Sequence, residues 1–241
     1  MKKTIIALIA LAGVASAVEV VSDLMPTTYE WKSYSVPTGE TSKWVDIGWN
    51  TLTTNNLKTD FTLLGITSAG SYGFNEEGKA QASTGQISIS NNSLTLTGRS
   101  GAAKLDTLFA QVVDVSTILG GGTADNLTAL TLNVTYTRHA SGDGWVGLYI
   151  LDDSSLTAVK EVKSTSLKTG SGGDVTISLT DSQLNLVDDT DKLVILFRDG
   201  SPGYTTTITK LTTKAVLVPE PTTATLSLLA LAGLAARRRR K

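Results

Sequence analysis

Apolar and polar residues alternate along this chain in short runs separated by turn formers, and no long helical period is present. The clearest run sets Leu130, Leu132, Val134 and Tyr136 against Thr131, Asn133, Thr135 and Thr137. Strand side chains point alternately to opposite faces, so this run predicts a strand with one face in a core and one in water. Ile87 to Thr97 predicts a hairpin: Ile87 and Ile89 alternate inward, Asn91-Asn92 turns, and Leu94 and Leu96 alternate back. Asparagine tolerates the left-handed conformation that a tight hairpin turn requires. Further strands are expected at Trp44–Trp49, Phe61–Ile66, Phe109–Val115, Trp145–Leu151, Val175–Leu179 and Thr205–Leu217. Leu193 to Phe197 is a nearly continuous apolar run, as in a strand buried on both sides. Glycine-rich stretches at Leu119–Asp125 and Gly170–Gly173 read as a loop and a turn.

About nine short strands with long connections, such as Leu151 to Asp174, predict an all-β fold. The expected architecture is a single jelly-roll β-sandwich over residues 18–217, since no repeat and no Pro/Gly-rich linker divides the body.

The two ends follow a different pattern. Met1-Lys2-Lys3 is basic, Ile5 to Val14 is apolar, and Ala15-Ser16-Ala17 offers a small-residue cleavage site, which together read as a signal peptide over residues 1–17. Residues 218–241 begin Val218-Pro219-Glu220-Pro221, continue uncharged from Thr222 to Ala236, and end in Arg237, Arg238, Arg239, Arg240 and Lys241. An uncharged stretch closed by a basic cluster reads as a short transmembrane helix with its cationic end left in the cytoplasm. Fifteen residues give roughly 22 Å against a hydrocarbon core of about 30 Å, which suits a transient handle better than a permanent anchor.

This tail resembles the PEP-CTERM sorting signal of Gram-negative bacteria. The resemblance rests on Pro219, Glu220 and Pro221, the short apolar segment, and the basic end Arg237–Lys241. It implies export through the Sec machinery with signal peptidase, then removal of the tail by an exosortase-type membrane protease. The protein would stand transiently in the inner membrane before reaching the cell surface, outer envelope or extracellular matrix. The second half of the body is similar to a carbohydrate-binding-module or galactose-binding-like jelly roll. The residues that carry this are Leu130–Thr137, Gly144-Trp145-Val146-Gly147-Leu148-Tyr149, Asp191–Phe197 and the closing strand. A concanavalin-like jelly roll fits nearly as well. Either resemblance implies a lectin-like role, with glycans as the expected ligands.

Leaving out both ends changes the charge balance. Residues 18–219 keep 14 basic and 21 acidic side chains, a formal charge of −7, which argues against nucleic-acid binding. Cysteine is absent, so the body must be held by its own core, and thiolate metal sites and thiol nucleophiles are excluded.

Few residues offer chemistry. The single histidine, His139, has no nucleophile elbow to serve, and neither Ser71 nor Ser141 fits one. Glu76-Glu77 and Asp152-Asp153 are adjacent pairs, and neighbours on a strand point to opposite faces, so neither makes a glycosidase acid and base. No cofactor is expected. The acidic loop Asp188-Asp189-Thr190-Asp191 is the one place where a structural calcium could find oxygen ligands, although it lacks EF-hand spacing and reads as a solvated turn.

The strand from Gly144 to Leu151 carries the candidate binding residues. If Val146, Leu148 and Ile150 face the core, Trp145 and Tyr149 flank Gly147 on the outside as a flat platform for a sugar ring. The reverse register would bury the aromatics, and a third arrangement buries both faces. Trp31, Tyr34 and Trp44 read as core or edge packing. Threonine-rich strand faces are also suited to O-linked modification.

The expected function is an exported, non-enzymatic surface or matrix protein whose jelly roll binds glycans. A secreted glycoside hydrolase or lyase, and a structural envelope protein assembling through exposed strand edges, are the alternatives.

Overall fold

A computed structural model describes residues 16–34, 68–76, 86–98, 107–138, 144–152, 159–167, 170–199 and 205–218. The strands are β1 (Val18–Asp23), β2 (Glu30–Tyr34), β3 (Gly70–Glu76), β4 (Ile87–Ser90), β5 (Ser93–Thr97) and β6 (Thr107–Asp114) in the first half. Then follow β7 (Leu127–Arg138), β8 (Gly144–Leu151), β9 (Val159–Leu167), β10 (Gly170–Ser178), β11 (Lys192–Asp199) and β12 (Thr205–Leu217). One-turn helices α1 (Val115–Ile118) and α2 (Asp181–Leu184) close loops at one end.

The strands form two 6-stranded sheets, as the expected sandwich requires. The β12 sheet runs β10-β7-β12-β5-β4, with β1 also paired to β12. The β11 sheet runs β2-β3-β6-β11-β8-β9. Pairing is antiparallel throughout except between β2 and β3. Strand β12 is central: β7 lines one side for most of its length, while β5 takes its beginning and β1 its end on the other.

The alternation in the sequence sets which way each strand faces. Leu130, Leu132, Val134 and Tyr136 of β7 enter the core between the sheets, where they meet Val146, Leu148 and Ile150 of β8 and Leu193, Ile195 and Phe197 of β11. The β4–β5 hairpin turns at Asn91 (φ 48°) and Asn92 (φ 56°), the left-handed pair expected there. The stretch Gly170–Gly173 differs from its expected turn. It belongs to β10 and contains a bulge, with Gly172 at φ +114° passing so close to β7 that a Cβ would lie 2.6 Å from the Tyr136 carbonyl oxygen. Strands β1, β2, β3 and β9 were not expected; with the eight that were, they make twelve strands among the described residues.

Trp44–Trp49, Phe61–Ile66, residues 1–15 of the signal segment and the tail after Val218 lie outside the described residues. Among the described residues no helix is long and apolar enough to cross a membrane.

A second apolar layer lies on the other face of the β11 sheet. Tyr72, Leu108, Val112, Tyr149, Val194 and Leu196 are all buried there, outside the main core cluster. The apolar run Leu193–Phe197 is therefore buried on both sides, as its composition requires.

At the end where β12 begins, the sheets are joined by polar groups. Arg138 Nη2 lies 3.4 Å from Asp199 Oδ1, and both side chains are fully buried. Arg138 Nη1 donates to Thr206 Oγ1 at 3.2 Å, and Thr206 donates in turn to Asp199 Oδ2 at 2.6 Å. Gly144 makes room for this cluster: a Cβ there would overlap the Arg138 guanidinium, lying 2.6 Å from its central carbon. Beside it, Thr107 of the β11 sheet donates to the Thr97 carbonyl of the β12 sheet at 2.7 Å.

Candidate binding face

The structure places Val146, Leu148 and Ile150 in the core, which puts Trp145, Gly147, Tyr149 and Leu151 on the opposite face of β8. That face is not an exposed platform. Tyr149 and Leu151 have no accessible surface, and Trp145 is half-buried. The Tyr149 ring lies over Gly147, where a Cβ would stand 2.8 Å from Cε2. Burial pushes the Tyr149 hydroxyl pKa well above its ordinary value, because the phenolate would have to form away from water. The expected sugar platform at Trp145 and Tyr149 is thus corrected: the Tyr149 ring is fully buried and cannot stack on a ligand, which leaves no exposed aromatic pair on β8.

Trp31 sits half-buried against the core, as expected of edge packing. Tyr29 meets it edge-on at 5.4 Å and donates to the Ile87 carbonyl at 3.0 Å, which ties the β11 sheet's edge to β4. The side chain of Tyr34, and all of Trp44 and His139, lie outside the described residues.

The broad exposed surface is the outer face of the β12 sheet, built from the polar half of the same alternation. Register sets its residues in rows across the strands. Ser178, Thr131 and Lys214 form one row, Thr176 and Asn133 with the buried Thr212 the next, and Asp174, Thr135 and Lys210 a third. Thr137, Thr207, Thr95 and Ser88 form a fourth. Hydroxyls and carbonyls along these rows bond across the strands. Thr135 donates to Asp174 Oδ1 at 2.6 Å and Thr176 to Asn133 Oδ1 at 3.1 Å. Thr131 and Ser178 share a bond at 3.3 Å, and Thr95 and Thr207 one at 3.2 Å. The rows are spaced by the pleat at about 6.8 Å along each strand, and the strands lie about 4.8 Å apart. The result is a hydroxyl-rich face with one amide and a few charged side chains. Only the outward threonines of Leu130–Thr137 hinted at it in the sequence. The contributions of β5, β10 and β12 depend on strand order, which residue spacing does not encode.

The acidic loop before β11 is used internally. Asp189 Oδ1 accepts from the Ala124 N–H at 2.6 Å, and Asp191 Oδ2 accepts from the Asp188 N–H at 2.9 Å. Among the described residues no three His, Cys, Asp or Glu gather as a metal cluster would require.

At the opposite end from the Arg138 cluster, the chain leaves the sandwich abruptly. Leu217 pairs with Val18 on one side and Leu127 on the other, and the Val218 N–H donates to the Asn126 carbonyl at 2.9 Å.

Residues 217–241 match the PEP-CTERM protein-sorting motif, so the matched segment begins inside the last strand. This signal marks an exported, surface-directed bacterial protein and implies an exosortase-type processing partner. No curated protein matches the chain in sequence. Among solved structures, the sandwich is similar to a xylan-binding module, CBM15, with 16% identity and a TM-score of 0.39 over 64% of this chain and 95% of that one. A mannan-recognising module, TmCBM27, is similar at 8% identity and a TM-score of 0.32, covering 54% of this chain and 80% of that one. The enzymatically active domain of tailspike protein 4 from bacteriophage CBA120 is similar at 12% identity and a TM-score of 0.36 over 50% of this chain, which spans only 15% of that one. These likenesses concern the all-β sandwich alone.

Proposed function

We propose that this is an exported, non-enzymatic surface protein whose β12-sheet face adheres to glycans of the cell envelope or matrix. The observation that carries the reading is the set of Thr, Ser and Asn side chains on four neighbouring strands, bonded in pairs between β5 and β12 and between β7 and β10. Hydroxyl and amide groups can exchange their water contacts for sugar hydroxyls, and each such exchange gains only about 1 kcal/mol net. With no aromatic ring among the described residues of this face, a single sugar chain binds weakly. Display of many copies on a surface converts weak contacts into firm adhesion through effective concentration.

The engagement of several described acidic side chains supports a role without turnover. Asp114 pairs with Lys192 at 2.8 Å, Glu19 with Lys214 at 2.6 Å and Glu30 with Lys32 at 2.8 Å. Asp23 caps the Met25 N–H at 3.0 Å, and Asp174 lies on the outer face of the β12 sheet bonded to Thr135. A glycosidase needs two carboxyl groups facing one substrate across a groove.

The test is binding of the exported protein to glycan-coated surfaces at high density, compared with free glycan in solution. Dense surfaces are expected to retain the protein while free sugars compete only at millimolar levels. The pair Asn133→Ala and Thr176→Val should reduce retention at least tenfold with the circular dichroism unchanged. Surfaces that retain nothing, or a double variant that binds like the parent, overturn the glycan reading.

A further inference from the structure

We propose that the folded sandwich limits how its tail is removed: the bond cut lies after Val218, and the end of the sandwich stands against the protease during the cut. The proposal rests on the reading of residues 217–241 as a sorting signal removed by a membrane protease.

Proteases take their substrates as extended, unpaired chain, which is why cleavage concentrates at loop tips and frayed termini. Strand β12 offers no such chain. Its last six residues are paired on one side with β1, from Thr212 opposite Asp23 to Leu217 opposite Val18. On the other side β7 pairs with it down to Leu127 opposite Leu217. The Leu217 side chain is only 6% exposed and belongs to the core cluster. It packs against Gly122, where a Cβ would lie 2.5 Å from Leu217 Cδ1. Beyond it, the Val218 N–H is held by the Asn126 carbonyl. To place Leu217 in a protease cleft, both ladders and this core contact would have to open together.

Pro219 comes next, and it brings the ladder to its end chemically. Proline has no N–H to donate, and a strand paired on both sides excludes it. The first residue of the Pro219-Glu220-Pro221 triplet thus marks the boundary between paired chain and handle. No linker separates the two, so a protease gripping the triplet must approach the end of the sandwich. That end is formed by Gly120–Asn126 and the start of β1, where Val18 and Val218 are among the exposed large apolar residues.

The experiment follows tail removal from the full chain in its host by pulse-chase and maps the mature carboxyl terminus by mass spectrometry. A second chain carries eight Gly/Ser residues between Val218 and Pro219. The parent should end at Val218 or later, and the spacer should speed tail removal several-fold by moving the triplet away from the fold. A parent terminus at Leu217 or earlier overturns the limit, and an unchanged rate with the spacer overturns the contact. If the parent keeps its tail, the processing reading itself fails, and this proposal with it.

Discussion

Removing Asp199 should harm this fold about as much as truncating a large side chain of its main core. The carboxylate and the Arg138 guanidinium stand 3.4 Å apart with no exposed side-chain surface on either. At an effective dielectric constant of about 20, unit charges at that separation attract by about 5 kcal/mol. Dehydrating each ion costs several kcal/mol, so the pair itself contributes little to net stability. Asp199→Ala is different in kind, because it takes a carboxylate away from a buried guanidinium and also removes the acceptor of Thr206. The expected loss is about 3–5 kcal/mol, a large share of the 5–15 kcal/mol typical of a folded domain. With an m-value of about 2 kcal/mol/M, the urea midpoint should fall by about 2 M. Urea titration followed by tryptophan fluorescence would read this. The double variant Arg138→Met with Asp199→Leu should recover most of the loss, since neither charge then remains. Gly144→Ala should resemble Asp199→Ala, because the new methyl group takes the space of the guanidinium. A midpoint shift below about 0.5 M for Asp199→Ala, or a double variant no better than the single one, would refute the reasoning.

Two further outcomes follow from buried polar groups. Thr213 lies in the core at 1% exposure, and its hydroxyl has no hydrogen-bond partner; Thr213→Val should therefore gain about 1–2 kcal/mol and raise the melting temperature by about 2–8 °C. Tyr149 stays neutral in the fold at pH values where an unfolded tyrosine ionises, near pH 10, so the native state holds the extra proton. Stability should then fall as pH rises above about 10, and Tyr149→Phe should flatten that fall in alkaline unfolding curves. An unchanged alkaline slope in the variant would assign the effect elsewhere.

The elements with a strict period of two, or with turn chemistry of their own, could be read from the sequence. Leu130–Tyr136 alternates cleanly because one face meets the core and the other meets water, and Asn91-Asn92 states its own turn. Strand β12 was expected at its observed bounds because Pro219 stops it. Strand β1 escaped notice because it pairs with β12 alone and most of its residues are exposed, leaving little apolar pattern to find. Strand β10 was expected to be shorter because glycines that usually make turns here make a bulge. The fate of Tyr149 depended on whether a second layer covered the β11 sheet. Alternation assigns residues to faces and says nothing of what lies upon each face, so the platform could not be judged from β8 alone. The Arg138–Asp199 pair was equally hidden, since 61 residues separate its members in the chain.

The position of β12 has a mechanical consequence. If the protein is tethered at its carboxyl end, drag or contact forces on the sandwich enter the fold through Leu217 and run along the axis of a central strand. The antiparallel ladders on either side lie across that axis. Their hydrogen bonds would therefore be loaded in shear, many at once and on both sides, whereas an edge strand pulled along its axis is held by a single ladder. A tether at the end of an edge strand such as β4 or β9 would give way far sooner under the same pull.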